Sequence, residues 1–209
     1  MHVTYYDGTN DNLEYMTYDG SSWSTPVTLD STDDVGLDSS LAIDSNDNLH
    51  VTYLDKTNYN LEYMTYDGSS WSTPVSLDST DDVGDQSSLA IDSNDNLHVT
   101  YTDTTNENLE YMTYNGSSWS TPVTLDFGAD SSLAIDSNDN LYVTYLDENN
   151  SLEFKTYDGS SWSTPVTLDT GLLPSLAVDS NDHLHVTYNE YLNGDLGYMN
   201  TVNNTGGNN

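Results

Sequence analysis

The chain is one segment copied end to end, and that repetition limits its fold more than any other feature does. Residues 2–49 and 50–97 are each 48 residues long and differ at six positions; 98–141 and 142–184 follow with 44 and 43 residues, and a partial copy fills 185–209. Trp23, Trp71, Trp119 and Trp162 mark one phase of the repeat, and each is followed three positions later by Pro26, Pro74, Pro122 or Pro165. Units of this period cannot bury an apolar face alone and do so against their neighbours. Residues 1–209 are therefore expected to form a single domain of tandem units. Copies this alike point to recent duplication or to design.

Within the second copy, four short apolar segments are separated by turn chemistry. Ser88-Leu-Ala-Ile-Asp92 is a short apolar run that reads as a strand buried on both faces. Asp92-Ser-Asn-Asp-Asn96 is a turn cluster, and Leu97–Asp103 has the β-branched and aromatic composition of a strand. Leu109–Tyr114 is a third strand, closed by Asn115-Gly116 where the other copies carry Asp-Gly, the dipeptides of tight hairpins. Trp119–Leu125 is a fourth, and Pro122, which lacks a ladder donor, places it at an edge. No window keeps a 3.6-residue period, so no helix is expected.

Four strands per unit, the last carrying proline, predict an all-β fold: a β-propeller of four-stranded antiparallel blades with the Leu-Ala-Ile strand innermost. A β-solenoid is the rival architecture. The connection Asp78–Ser87 would cross from the rim of one blade to the axis of the next, and the later copies are shortened there, at Asp126–Asp130. Eighteen candidate strands, starting at a second strand (His2–Asp7) and stopping near a third (Leu196–Met199), predict five blades with incomplete first and last members. Four blades is the alternative, with Ser175–Asp179 completing the N-terminal three strands and the tail from His185 displaced.

The segment Ser-Leu-Ala-Ile-Asp-Ser-Asn-Asp-Asn-Leu-His-Val-Thr-Tyr resembles the first two strands of NHL-type propeller blades. Tyr66-Asp-Gly-Ser-Ser-Trp-Ser72 resembles the Asp-box hairpin of sialidase-type propellers, although it is one residue short between Asp67 and Trp71. The strand order also resembles that of the fungal and bacterial fucose-binding propeller lectins. That last resemblance implies sugar sites built from an Arg, a Glu and an aromatic residue. Here His50 falls where the Arg is expected, and Glu62 falls one position from the Glu.

Charge narrows the partners. There are 35 acidic residues against two cations, Lys56 and Lys155, with no Arg and a formal net charge of -33. Nucleic acid needs cations on the protein to neutralise phosphate, so it is excluded as a direct partner, and anionic membrane surfaces are disfavoured on the same ground. Low aliphatic content with such charge ordinarily signals disorder, but 17 Tyr and four Trp in fixed order supply a buriable core. Absence of Cys removes disulfides and thiolate metal sites. No stretch has transmembrane length and no signal peptide is recognisable, so membrane insertion is not expected. The chain begins inside a strand-like pattern, which reads as a trimmed or fragmentary start. The Ser, Thr, Asn and Tyr-rich composition points to an extracellular or secreted protein, expected as a monomer.

Catalysis is not expected. A sialidase-like hydrolase, implied by the Asp-box resemblance, grips its substrate carboxylate with arginines that this chain lacks. No nucleophile elbow is present, and glycoside hydrolysis needs one asymmetric carboxylate pair, not a repeated one. The histidines His2, His50, His98 and His185 occupy equivalent positions in successive copies, with His183 outside the series, so they spread around a ring; Tyr142 in the same place fits packing better than metal ligation. No cofactor is required. Calcium is the candidate metal, with oxygen ligands at alternate positions of the repeated turns: Asp44 and Asn46, Asp92 and Asn94, Asp136 and Asn138. The same pattern also describes a hairpin turn capped by its own Asx side chains. Candidate ligand-binding residues are Trp23, Trp71, Trp119 and Trp162 with Glu14, Glu62, Glu110 and Glu153; the indoles serve equally well as wedges between blades. The reading is a non-catalytic binding or scaffold module for a protein or glycan partner, with a multivalent carbohydrate-binding lectin as its alternative.

Overall fold

A computed structural model describes residues 1–201; the last eight positions of the partial repeat, 202–209, lie outside the described residues. Every element named below is a strand. β1 (His2–Asp7), β2 (Asn12–Thr17) and β3 (Val27–Asp30) form one sheet, and β4 (Val35–Ile43), β5 (Leu49–Asp55), β6 (Asn60–Tyr66) and β7 (Val75–Asp78) a second. The third contains β8 (Val83–Ile91), β9 (Leu97–Asp103), β10 (Asn108–Tyr114) and β11 (Val123–Phe127). β12 (Ala129–Ile135), β13 (Leu141–Leu146), β14 (Ser151–Tyr157), β15 (Val166–Val178), β16 (Leu184–Glu190) and β17 (Leu196–Asn200) are joined in a fourth. All neighbouring strands are antiparallel.

β15 explains the longer sheet. Its first part pairs with β14 through Val166–Thr170 and its second with β16 through Gly171–Val178, so one continuous strand does the work of an outer strand and of the next inner strand. Seventeen strands thus stand where eighteen were expected, because the pairing runs on through Thr170 and Gly171, whereas in the preceding copy Gly128 alone separates β11 from β12. The inner strands are also longer than the Leu-Ala-Ile runs: β8 starts at Val83, inside the segment expected to be a connection. Those runs are not buried on both faces either; Leu89 and Ala90 are buried, whereas Ile43 is 45% exposed. Pro26, Pro74, Pro122 and Pro165 each immediately precede an outer strand, so their missing N–H breaks no ladder; Pro174 lies inside β15, at the register shift between Leu172 and Ser175.

Alternation along the middle strands assigns the two faces of each sheet. Leu61 and Tyr63 of β6 meet Val83, Leu97, Val99, Tyr101 and Met112 of the following unit. Val51, Tyr53 and Met64 turn the other way, toward Leu13 and Leu29 of the preceding one. The core is therefore a series of dry seams between sheets, in which each fully buried aliphatic or aromatic side chain is worth about 1.5–3 kcal/mol. The seams are close enough to need glycine: a Cβ on Gly84, at φ +99°, would lie 2.9 Å from the Cα and N of Leu61. β1 packs on β4, β4 on β8, β8 on β12 and β12 on β15. Among the described residues β1–β3 pair only with one another, and the sheets form an open arc.

Candidate functional site

The recurring polar features of the chain collect in the gaps between sheets. Tyr53, Glu62 and Ser76 stand in one row across β5, β6 and β7 because the strand registers set them opposite one another. The Ser76 hydroxyl donates to Glu62 Oε1, and in the other copies Thr28, Thr124 and Thr167 donate to Glu14, Glu110 and Glu153, each at 2.6 Å. Tyr53 Oη reaches back to the preceding sheet and donates to Asp30 Oδ2 at 2.7 Å; Tyr101 repeats this on Asp78 and Tyr145 on Asp126, both at 2.7 Å. Burial raises the carboxyl pKa of Glu62 and Glu110, and the neighbouring charges of Asp55 and Asp30 (for Glu62) and of Asp103 and Asp78 (for Glu110) push the same way.

The indoles enter the same gaps. Trp71 bridges to Tyr66 across its own hairpin and meets Tyr15 of the preceding sheet edge-on, with centroids 5.2 Å apart and planes at 72°. Trp119 on Tyr63 and Trp162 on Tyr111 repeat the contact at 5.3 and 5.2 Å. These three rings are half-buried, wedging the sheets while keeping part of their surface in water. Trp23 has only Tyr18 as a ring partner and is 47% exposed. The sequence-predicted Trp and Glu of one unit thus face the same gap, with the Glu carboxylates buried and already hydrogen-bonded.

The histidines sit in Asp–His–Tyr arrays. His50 stacks on Tyr63 with centroids 6.0 Å apart, its Nδ1 is 2.6 Å from Tyr63 Oη, and its Nε2 is 3.5 Å from Asp44 Oδ2. Burial lowers the pKa of His50 and His98, against the pull of Asp44 and Asp92. The fourth copy shows why tyrosine is accepted there: Tyr142 donates to Asp136 at 2.9 Å and stacks on Phe154, so the partner ring has lost its hydroxyl in step. His183 lies outside the series and pairs with Asp179 at 3.1 Å.

The candidate calcium residues lie in separate turns, one pair per sheet. Asp44 Oδ1 accepts the backbone N–H groups of Asn46 and Asn48 at 2.9 and 2.8 Å; Asp92 and Asp136 do the same for Asn94 and Asn96, and for Asn138 and Asn140. Among the described residues no group of three or more His, Asp or Glu is placed to hold a metal ion. What sequence reasoning missed is the next acid of each turn. Asp95 accepts the amide and hydroxyl of Ser45 at 2.8 and 2.7 Å, stapling one sheet to the next, as Asp139 does for Ser93 and Asp182 for Ser137. The Tyr–Asp pairs across the gaps were missed as well, although both residues recur in fixed phase.

The last gap differs. Among the described residues no strand follows β17 within its sheet, and a cleft of 660 Å³ opens beside Phe154, Val166, Leu168 and Met199. Phe154 occupies the position at which Tyr15, Tyr63 and Tyr111 receive an indole from the next unit. Gly197 stands where the other copies carry Glu14, Glu62, Glu110 and Glu153.

No family model and no curated protein matches the chain. Solved structures do. A fungal lectin from Aleuria aurantia, described as a six-bladed β-propeller with a novel fucose recognition mode, superposes with a TM-score of 0.70 at 18% identity, over 98% of this chain and 75% of that one. AofleA from Arthrobotrys oligospora superposes with a TM-score of 0.70 at 11% identity, over 95% of this chain and 64% of that one. The intramolecular trans-sialidase from Ruminococcus gnavus follows with a TM-score of 0.63 at 15% identity, over 90% of this chain and 49% of that one. The chain is similar in fold to propellers of the lectin and sialidase types, as its hairpins and strand order led one to expect.

Proposed function

We propose that this protein is a non-catalytic, multivalent carbohydrate-binding module of five blades, with its sugar sites in the gaps between successive blades. The observation that carries the reading is the half-buried indole that recurs in each complete gap beside tyrosines, because a sugar's apolar face stacks on the open part of such a ring's face while neighbouring hydroxyls and amides bond its rim. The fold shared with a fucose-recognising lectin supports this over a bare scaffold. The split pairing of β15 supports five blades over four, since both parts of that strand are already used.

The expected ligand is a neutral sugar. With no Arg and a net charge of -33, acidic sugars would be repelled rather than gripped. Catalysis is set aside because each Glu repeats with the same hydroxyl donor, leaving no asymmetric acid–base pair. Single sites would be weak and their number would supply avidity, worth about 10²–10⁴ beyond one site. The scaffold reading keeps one observation in its favour: the indoles also act as wedges.

A glycan array together with sugar titrations followed by tryptophan fluorescence tests the proposal. Binding to neutral glycans with a fluorescence change, and none to sialylated ones, is the expected result. A folded protein silent on the array and unchanged in fluorescence would return the scaffold reading to first place.

A further inference from the structure

Asparagine is followed by glycine at two places in the chain, Asn115-Gly116 and Asn193-Gly194, and all four residues are exposed. Glycine leaves the nitrogen after the asparagine unhindered, so both pairs carry the same local chemistry. Their surroundings differ. The Ser117 and Ser118 N–H groups each donate to Asn115 Oδ1 at 3.0 Å, and the Ser117 hydroxyl donates to it at 2.8 Å. Three donors fix the carbonyl oxygen at this place and polarise its bond to Cγ. The Gly116 N–H donates to no group among the described residues. At the second pair no serine follows the glycine. There the Asn193 amide donates to Glu190 Oε2 at 3.4 Å, and the Gly194 N–H is spent on the Glu190 carbonyl at 2.9 Å.

The donor set around Asn115 is one that suits an anion. In the other three hairpins Asp19, Asp67 and Asp158 take the same donors from the same two following serines, between 2.7 and 2.9 Å. Those hydrogen bonds lower each carboxyl pKa to about 2. Asn115 puts a neutral amide in the seat of a carboxylate. We propose that Asn115 is a site of spontaneous deamidation, at which the folded hairpin turns its asparagine into the aspartate that the other hairpins carry. The Gly116 nitrogen gives its proton to solvent base and attacks Asn115 Cγ. The new C–N bond leaves a negative charge on Oδ1, which the three donors hold. Nδ2 then departs as ammonia with a proton from water, and a five-membered succinimide remains. Water adds at the polarised Cγ and breaks its bond to the Gly116 nitrogen, which restores the backbone and frees a side-chain carboxylate. The net change consumes one water, releases one ammonia and needs no oxidant or reductant. Water adding instead at the main-chain carbonyl would route the backbone through the side chain as isoaspartate, lengthening the hairpin between Tyr114 and Trp119, which bridge across it.

The test keeps the folded chain in mildly alkaline buffer, samples it over time, and reads both pairs by mass spectrometry of chymotryptic peptides, with isoaspartate counted by enzymatic methylation. Rates in denaturant, where both pairs lose their surroundings, supply the intrinsic reference for each. Relative to that reference, folded Asn115 is expected to convert about tenfold faster than folded Asn193, and with a larger share of aspartate than in denaturant. Ser117→Ala removes one donor and should slow Asn115 by about tenfold, the worth of one hydrogen bond to a developing charge, while Asn193 keeps its rate. Asn115→Asp, the product itself, should melt at or above the temperature of the wild type. Folded Asn115 that stays intact, or that converts no faster than Asn193 on the same reference, overturns the proposal. A Ser117→Ala chain with unchanged conversion at Asn115, or an Asn115→Asp chain that melts clearly lower, overturns it too.

Discussion

At the residue scale, the arrays of His50 and His98 tie stability to pH. Burial holds each imidazole pKa below its ordinary value, so on acidification the unfolded chain binds the proton first. Their contribution is complete above about pH 6.5 and is lost as pH falls from there through the folded pKa. Glu62 and Glu110 act in the opposite sense, since their raised pKa makes the folded state bind protons first at lower pH. The imidazole share is isolated by copying the fourth unit's solution: His50→Tyr with Tyr63→Phe, and His98→Tyr with Tyr111→Phe. Melting curves between pH 7.5 and pH 5.5, on the order of one unit either side of the ordinary histidine value, should fall less steeply for that variant than for the wild type. Equal slopes would remove the histidines from the account.

At the scale of the element, the seams depend on how closely an inner strand approaches its neighbour. Gly84 brings β8 against the backbone of Leu61, and Gly36 brings β4 against Leu13 in the same way, where a Cβ would lie 2.6 Å from the Cα. Gly68, in the hairpin before Trp71, also has positive φ, but a Cβ there would meet nothing within 4 Å. Gly84→Ala therefore meets both backbone strain and a backbone clash, and Gly68→Ala meets strain alone, about 1 kcal/mol. Denaturant melts should show Gly84→Ala losing clearly more stability than Gly68→Ala. The reverse order would mean that the seams are looser than the geometry implies.

At the scale of the whole molecule, charge opposes compaction. A net charge of -33 on 209 residues makes self-repulsion a general cost, so melting temperature is expected to rise with salt. Calcium at matched ionic strength is expected to add nothing at Asp44, Asp92 and Asp136, whose carboxylates already hold backbone amides. A melt that rises with calcium beyond magnesium at equal ionic strength would instead reveal occupied turns.

Local chemistry determined what the sequence could reveal. The period of the Trp and Pro residues, the alternation in β5 and β6, and the Asp-Gly and Asx turns act over a few residues, so strand order and hairpin pairing were legible from them. So was the placement of Glu62 and Trp71 on each unit. Tertiary structure decided the rest, because it depends on neighbours distant in the chain. β15 became one strand where its pairing passed from β14 to β16 without a break, the inner strands extend into the segment expected as a connection, and Glu62 accepts from Ser76. Asp95 shows the limit most plainly: its turn is written in five adjacent residues, but its role as a staple to Ser45 exists only because two sheets 50 positions apart lie side by side.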